Sequence, residues 1–65
     1  MEIIYNTKKP AVHTSVFQAP GTYIIGDVTI GEQSSIWFNA VLRGDEDAII
    51  IGKRCSIQDN ATIHL

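Results

Sequence analysis

The stretch Ile24-Ile25-Gly26-Asp27-Val28-Thr29-Ile30-Gly31-Glu32-Gln33-Ser34-Ser35-Ile36 sets isoleucine at 24, 30 and 36, a period of six. Stepping outward by six reaches Gln18 and Val12 on one side and Leu42 on the other. After a shift of three, the ladder resumes at Ile51, Ile57 and Ile63. All of these positions except Gln18 are aliphatic. A second ladder trails by four residues through Val16, Thr22, Val28, Ser34, Ala40, Glu46, Cys55 and Ala61, and all but Glu46 are small or β-branched. A helical stripe recurs at three and four and an ordinary strand at two, so neither explains six. A short strand, a turn and another short strand do, with one large and one small side chain of each repeat facing an interior. Gly26, Asp27, Gly31, Asn39, Gly44, Gly52 and Asn60 fall between the aliphatic positions and are the candidates for corners with positive φ.

The irregular step is informative. Leu42 and Ile51 are separated by three residues too many, so residues 44 to 50 should hold a loop that leaves the regular path. Its Gly44-Asp45-Glu46-Asp47 is acidic and has no inward pattern. Loops that interrupt a repeat array are common carriers of function. Residues 1–11, with Pro10 as punctuation, read as a leading strand or cap, and residues 12–65 as coils, just under three in number. If three hexads make one coil and the loop adds three residues, Arg43 lies beneath His64, Trp37 beneath Gln58 and Phe38 beneath Asp59, each about 4.8 Å from its partner.

Composition limits what such a chain can be. A chain of 65 residues buries only roughly 60% of its unfolded surface, too little for a self-contained catalytic cavity. With 45% apolar and 18% charged residues it should nonetheless fold. The net charge of -2, with no basic run beyond Lys8-Lys9 and Lys53-Arg54, argues against nucleic-acid or anionic-membrane binding. A single cysteine, Cys55, cannot form an internal disulfide, which favours a reducing compartment. The start lacks a basic leader and the longest aliphatic run is Ala48 to Ile51, so a soluble, cytoplasmic chain is expected, with neither signal peptide nor membrane span. With no disulfide framework, stability calls for a metal, an oligomer or further chain.

The residues singled out above also carry a resemblance. Arg43-Gly44-Asp45-Glu46, then Ile57-Gln58-Asp59-Asn60, then Ile63-His64 resemble the γ-class carbonic anhydrases and their ferripyochelin-binding-protein-like branch. His13 through Pro20, Asp27 through Gly31 and Ser35-Ile36-Trp37 resemble the same branch, so the likeness runs from about residue 11 to the end. It implies an all-β fold, the left-handed parallel β-helix of hexapeptide-repeat proteins, here as an incomplete N-terminal portion. The hand follows from the resemblance, because the spacing does not set it.

The resemblance further implies a homotrimer with a zinc ion at each subunit interface, iron or cobalt being alternatives that sequence does not separate. His64 matches the first of three histidine ligands, and the other two, in a His-x4-His pattern, would lie beyond Leu65. Gln58 matches the residue that orients the metal-bound water or hydroxide. Glu46 matches an acidic residue that assists proton movement, while Arg43, Asp45 and Asp59 match residues that order the interface. The chemistry suits these types: three neutral imidazoles leave the zinc charge uncompensated, so bound water ionises near pH ~7 and can attack carbon dioxide, yielding bicarbonate. A carboxamide such as Gln58 both donates and accepts without adding charge. The 65 residues alone, with one such ligand, are expected to show no hydratase activity.

Each of these residues has a plainer reading. Taken singly, His64 is a packed or surface histidine and His13 a turn residue. Arg43 and Asp45 would make an exposed ion pair contributing about 0–1 kcal/mol, Asp47 a loop charge, and Cys55 an inert interior thiol. Trp37 and Phe38 stand outside the ladder and would pack under the loop or against a neighbouring subunit. Two other functions stay open: a hexapeptide acyltransferase fragment with His64 as general base, and a metal-free trimeric scaffold.

Overall fold

The computed structural model describes all 65 residues, and they form eight β-strands and no helix. In chain order these are β1 (Glu2–Ile3), β2 (Ala11–Val12), β3 (Phe17–Gln18), β4 (Tyr23–Ile30), β5 (Ser35–Ile36), β6 (Val41–Ile51), β7 (Ser56–Ile57) and β8 (Thr62–His64). Every pairing between them is parallel. One sheet runs β1-β4-β6-β8 with β2 also on β4, and the other runs β3-β5-β7. Each strand therefore lies on the strand one coil earlier, which makes the chain a parallel β-solenoid. β4 and β6 are long because each turns a corner: β1 pairs with Ile24 and Ile25, and β2 with Thr29 and Ile30.

The six-residue ladder is the core. Ile24, Ile30, Ile36 and Leu42 are buried, and Val12, Ile51, Ile57 and Ile63 pack against them at the two ends. Burying each such side chain contributes about 1.5–3 kcal/mol. The small ladder fills the gaps with Thr22, Val28, Ser34 and Ala40, all buried. Ser34 reconciles its hydroxyl with that position by donating to Gly52 O at 2.7 Å and accepting from Cys55 N at 3.0 Å.

Three expectations change. First, the excursion placed at 44–50 is a bulge inside one continuous strand: Gly26 pairs with Gly44 and Val28 with Ile49, so only Asp45 to Ala48 stand against Asp27. Second, Glu46 therefore does not belong to the inward small ladder. Ile49, 4% exposed, stands over Val28 in its place. Third, positive φ occurs at Gly26, Asn39 and Asn60 as expected, but Gly21, Gln33 and Arg54 take the other corner positions in place of Asp27, Gly31, Gly44 and Gly52. Gly44 serves close approach instead, since a Cβ there would lie 2.5 Å from Asp27 O.

The ladder's one polar member also finds its reason. Glu2 and Gln18 lie under the inward residues Ile24 and Ile36, and Gln18 Nε2 donates to Glu2 Oε2 at 3.0 Å. The first coil is closed by a polar pair.

Candidate functional site

The β6–β8 pairing sets Arg43 opposite His64, as the coil register requires. From β6 the bulge begins two residues after Arg43, and this turns Asp45 back toward both. Arg43 Nη2 donates to Asp45 Oδ2 at 2.9 Å. The other oxygen, Oδ1, is buried with no hydrogen-bond partner and lies 3.5 Å from His64 Nε2. Glu46 Oε2 lies 3.9 Å from the same nitrogen, on a side chain that is largely exposed. The Arg43 hydrogen bond holds the Asp45 carboxyl below its ordinary range, against partial burial that pushes it up; its own backbone N–H and the charges of Arg43 and His64 act with Arg43.

These four residues form one group, and Gln58 and Asp59 stay outside it. Gln58 Nε2 donates to Ser56 Oγ at 2.7 Å, and no hydrogen bond or ion pair joins Gln58 or Asp59 to Arg43, Asp45, Glu46 or His64. Two further charged residues adjoin the bulge: Lys8 and Asp27 line a cleft of about 190 Å³ together with Asp45, Glu46 and Asp47. Asp27 stands one coil below this bulge, so the register could have found it. Lys8 sits on the Tyr5–Lys8 bridge, outside any ladder, and carried no signal.

The chain's own residues fill only part of a three-imidazole metal centre. His64 has a carboxylate beside one ring nitrogen, Asp45 Oδ1 lying 3.5 Å from Nε2, which is charge proximity and not a hydrogen bond. The second histidine, His13, is engaged elsewhere, its Nδ1 2.8 Å from Ser15 Oγ. No group of three or more His, Cys, Asp or Glu side chains could hold a metal ion in this chain. As a complete three-histidine site these residues do not fit.

Trp37 and Phe38 do not pack under the bulge. Trp37 stacks obliquely on Phe17 with ring centroids 5.1 Å apart and lies 6.2 Å from Phe38, and its Nε1 donates to Ser35 Oγ. Cys55 is partly buried, with Sγ 3.7 Å from Lys53 O.

The coils define the class first: an all-β, hexapeptide-repeat solenoid of the left-handed parallel β-helix type. A Bacillus cereus structure described as a putative acetyltransferase matches with a TM-score of 0.92 and 49% identity, over 94% of this chain and 36% of that one. A carbonic anhydrase from Geobacillus kaustophilus is 50% identical over 60 residues, 92% of this chain and 33% of its own length. The mitochondrial gamma carbonic anhydrase 2 of Arabidopsis thaliana is 50% identical over 58 residues, 89% of this chain and 21% of its own. No protein-family model matches. Over about nine tenths of its length the chain is similar to γ-carbonic anhydrases and to hexapeptide-repeat proteins, and it spans about a third or less of the length of these two curated relatives.

Proposed function

We propose that the Arg43–Asp45–His64 corner is one subunit's share of a carbon dioxide hydration site formed between the chains of a homotrimer. The observation that supports it is the shared carboxylate: Asp45 meets Arg43 with one oxygen and His64 with the other. In this reading the chain contributes one imidazole, and the remaining ligands of zinc, iron or cobalt come from residues outside these 65. The metal, when bound, supplies the acidification of water.

The chain's residues do the positioning. Arg43 fixes Asp45, Asp45 sets a negative charge beside His64, and Gln58 presents a neutral donor and acceptor once subunits meet. Hydration of carbon dioxide releases one proton with each bicarbonate. Glu46, exposed and 3.9 Å from His64 Nε2, is placed to pass it to solvent. Asp59, without an ion pair inside the chain, is free to order the subunit interface.

The test is metal analysis joined to stopped-flow hydration assays on a trimer whose chains also carry the residues, outside these 65, that supply the remaining ligands. About one metal per chain, lost together with turnover in His64→Ala, supports the reading. A second reading rests on the name of the Bacillus cereus structure: an acyltransferase, with His64 as general base. Thermal protection by acetyl-coenzyme A with no bound metal would favour it. A trimer with neither metal nor ligand would favour a scaffold.

A further inference from the structure

One corner of the prism is built differently in each coil. In the second coil it is tight, with Gly26, Asp27 and Val28 joining Ile25 to Thr29. In the first coil the partners of those two residues, Ile3 and Ala11, are joined by residues 4–10, seven where the second coil has three. In the third coil Asp45 to Ala48 stand where the second has Asp27 alone. Two excursions therefore flank Asp27 along the prism axis, two strand spacings or about 9.6 Å apart. Between them lies the cleft of about 190 Å³, with Lys8 on one wall, Asp27 recessed at the corner, and Asp45, Glu46 and Asp47 on the other wall.

The first wall is a lightly held hairpin. Tyr5 and Lys8 exchange two backbone hydrogen bonds of 2.9 Å, and Asn6 and Thr7 between them have φ of 47° and 64°. Two successive positive φ values make the tight hairpin turn that asparagine accepts and a β-branched threonine resists. The segment is fixed at its ends, by β1 on β4 and by buried Pro10, and it rests on the corner through Tyr5, whose Cβ would lie 3.4 Å from a Cβ placed at Gly26. Lys8 itself is exposed. A strained turn with few buried contacts belongs to the low-stability end of a structure.

The charges facing the cleft are not all engaged. Asp45 is taken by Arg43, and Asp47 Oδ1 accepts from Ala48 N–H at 2.8 Å. Lys8 and Asp27 have no ion pair, and Glu46 reaches only His64, at 3.9 Å. One cation and two available carboxylates share the slot.

We infer that residues 5–8 are a strap that closes this slot, with Lys8 Nζ docking between the carboxylates of Asp27 and Glu46. A lysine ammonium carries three donors on a flexible four-carbon stem, so one side chain serves both acceptors. Closed, the strap lies across Glu46; open, it leaves Glu46 to solvent. Exposed pairs are screened by salt, so rising ionic strength releases the strap. The closure does not rest on the hydratase reading. Under that reading it gates the path by which Glu46 passes a proton to water, and the test below reads the strap without reading turnover.

The experiment treats the 65-residue protein with a water-soluble carbodiimide, which joins an amine to a carboxylate in contact with it, and maps the cross-links by peptide mass spectrometry. The Lys53–Glu32 pair, at 3.3 Å, is the internal standard. At about 0.01 M salt Lys8 should be joined to Asp27 or Glu46, and at about 1 M that product should fall several-fold. A glutamate-specific protease gives the second readout, cleavage after Glu46 measured against cleavage after Glu32. At low salt this ratio should rise about threefold in Lys8→Ala, the size expected for an exposed pair, and the difference should vanish at high salt. Lys8→Arg should keep the wild-type ratio while losing the cross-link, because the charge remains and the reactive amine does not. Equal ratios in wild type and Lys8→Ala, or a Lys53–Glu32 cross-link formed with none from Lys8 to Asp27 or Glu46, would each overturn the proposal.

Discussion

Asp45 Oδ1 is buried without a hydrogen-bond partner 3.5 Å from His64 Nε2, while its sister oxygen accepts from Arg43 at 2.9 Å. A carboxylate in this position favours its ionised form, and its pKa in the folded chain is lowered. A lowered pKa stabilises the fold at pH values above the unfolded-state pKa, about 3.9 for aspartate, and that stabilisation is lost as pH falls through the folded value.

The first prediction follows from that sign. Comparing melting temperatures of wild type and Asp45→Asn, the wild type should hold a constant advantage from neutral pH down to about pH 4 and lose it on further acidification. An advantage that grew as pH fell would mean that Asp45 is destabilised in the fold and that Arg43 does not hold it ionised.

The position of the bulge gives a second pair of variants. Ile49 is inward over Val28 and 4% exposed, so Ile49→Ala should cost about 2–5 kcal/mol. Glu46 is exposed and outside the ladder, so Glu46→Ala should change stability by no more than about 0.5 kcal/mol. Urea unfolding distinguishes them. Equal costs would move the extra residues to the far side of Glu46, where unbroken six-residue counting puts them.

That misplacement shows what a period can and cannot carry. Ile24, Ile30, Ile36 and Leu42 were legible because each coil buries one side chain per side, and burial selects aliphatic residues at a fixed step. The register that sets Arg43 against His64 followed from the same step plus the length of the insertion. Where inside 44–50 the insertion lies was not legible, because Ile49, Ile50 and Ile51 are equally aliphatic and only strand alternation decides which of them faces inward. The corners escaped for a related reason: Gln33 and Arg54 adopt positive φ because the coil must turn there, although their types do not favour it. Gln58 and Asp59 were grouped with His64 by the coil register and the family resemblance; they follow β7 at the preceding corner, whereas His64 ends β8 in the other sheet, and no hydrogen bond or ion pair joins them within the chain.

Thr22 provides a third test. It occupies the inward small ladder beneath Ala40, is 2% exposed, and its Oγ1 has no hydrogen-bond partner. An unsatisfied buried hydroxyl costs about 1–3 kcal/mol relative to a satisfied one. Thr22→Val keeps the β-branched shape and removes the hydroxyl, so it should stabilise the fold by about 1 kcal/mol, a rise of roughly 4–8 °C in melting temperature for a chain of this size. A fall would mean that the hydroxyl has a partner in solution, such as a bound water.

The fourth prediction concerns metal, and mass action sets its size. A ligand that binds only the folded state stabilises it by RT ln(1 + [L]/Kd), so zinc at its own dissociation constant contributes about 0.4 kcal/mol and at a hundred times that value about 2.7 kcal/mol. His64 is the single imidazole beside Asp45 and Glu46, and His13 is held by Ser15 in the first coil. One imidazole does not bind zinc tightly, so a millimolar-range site is expected. Near-millimolar zinc or cobalt should then move the melting temperature of the 65-residue chain by no more than about 3 °C, and the chain alone should show no carbon dioxide hydration above buffer. Stabilisation near 2.7 kcal/mol that disappears in His64→Ala would mean that copies of the chain assemble a full ligand set among themselves. In that case the ligands assigned to residues outside these 65 would instead come from Asp45 and Glu46 around His64.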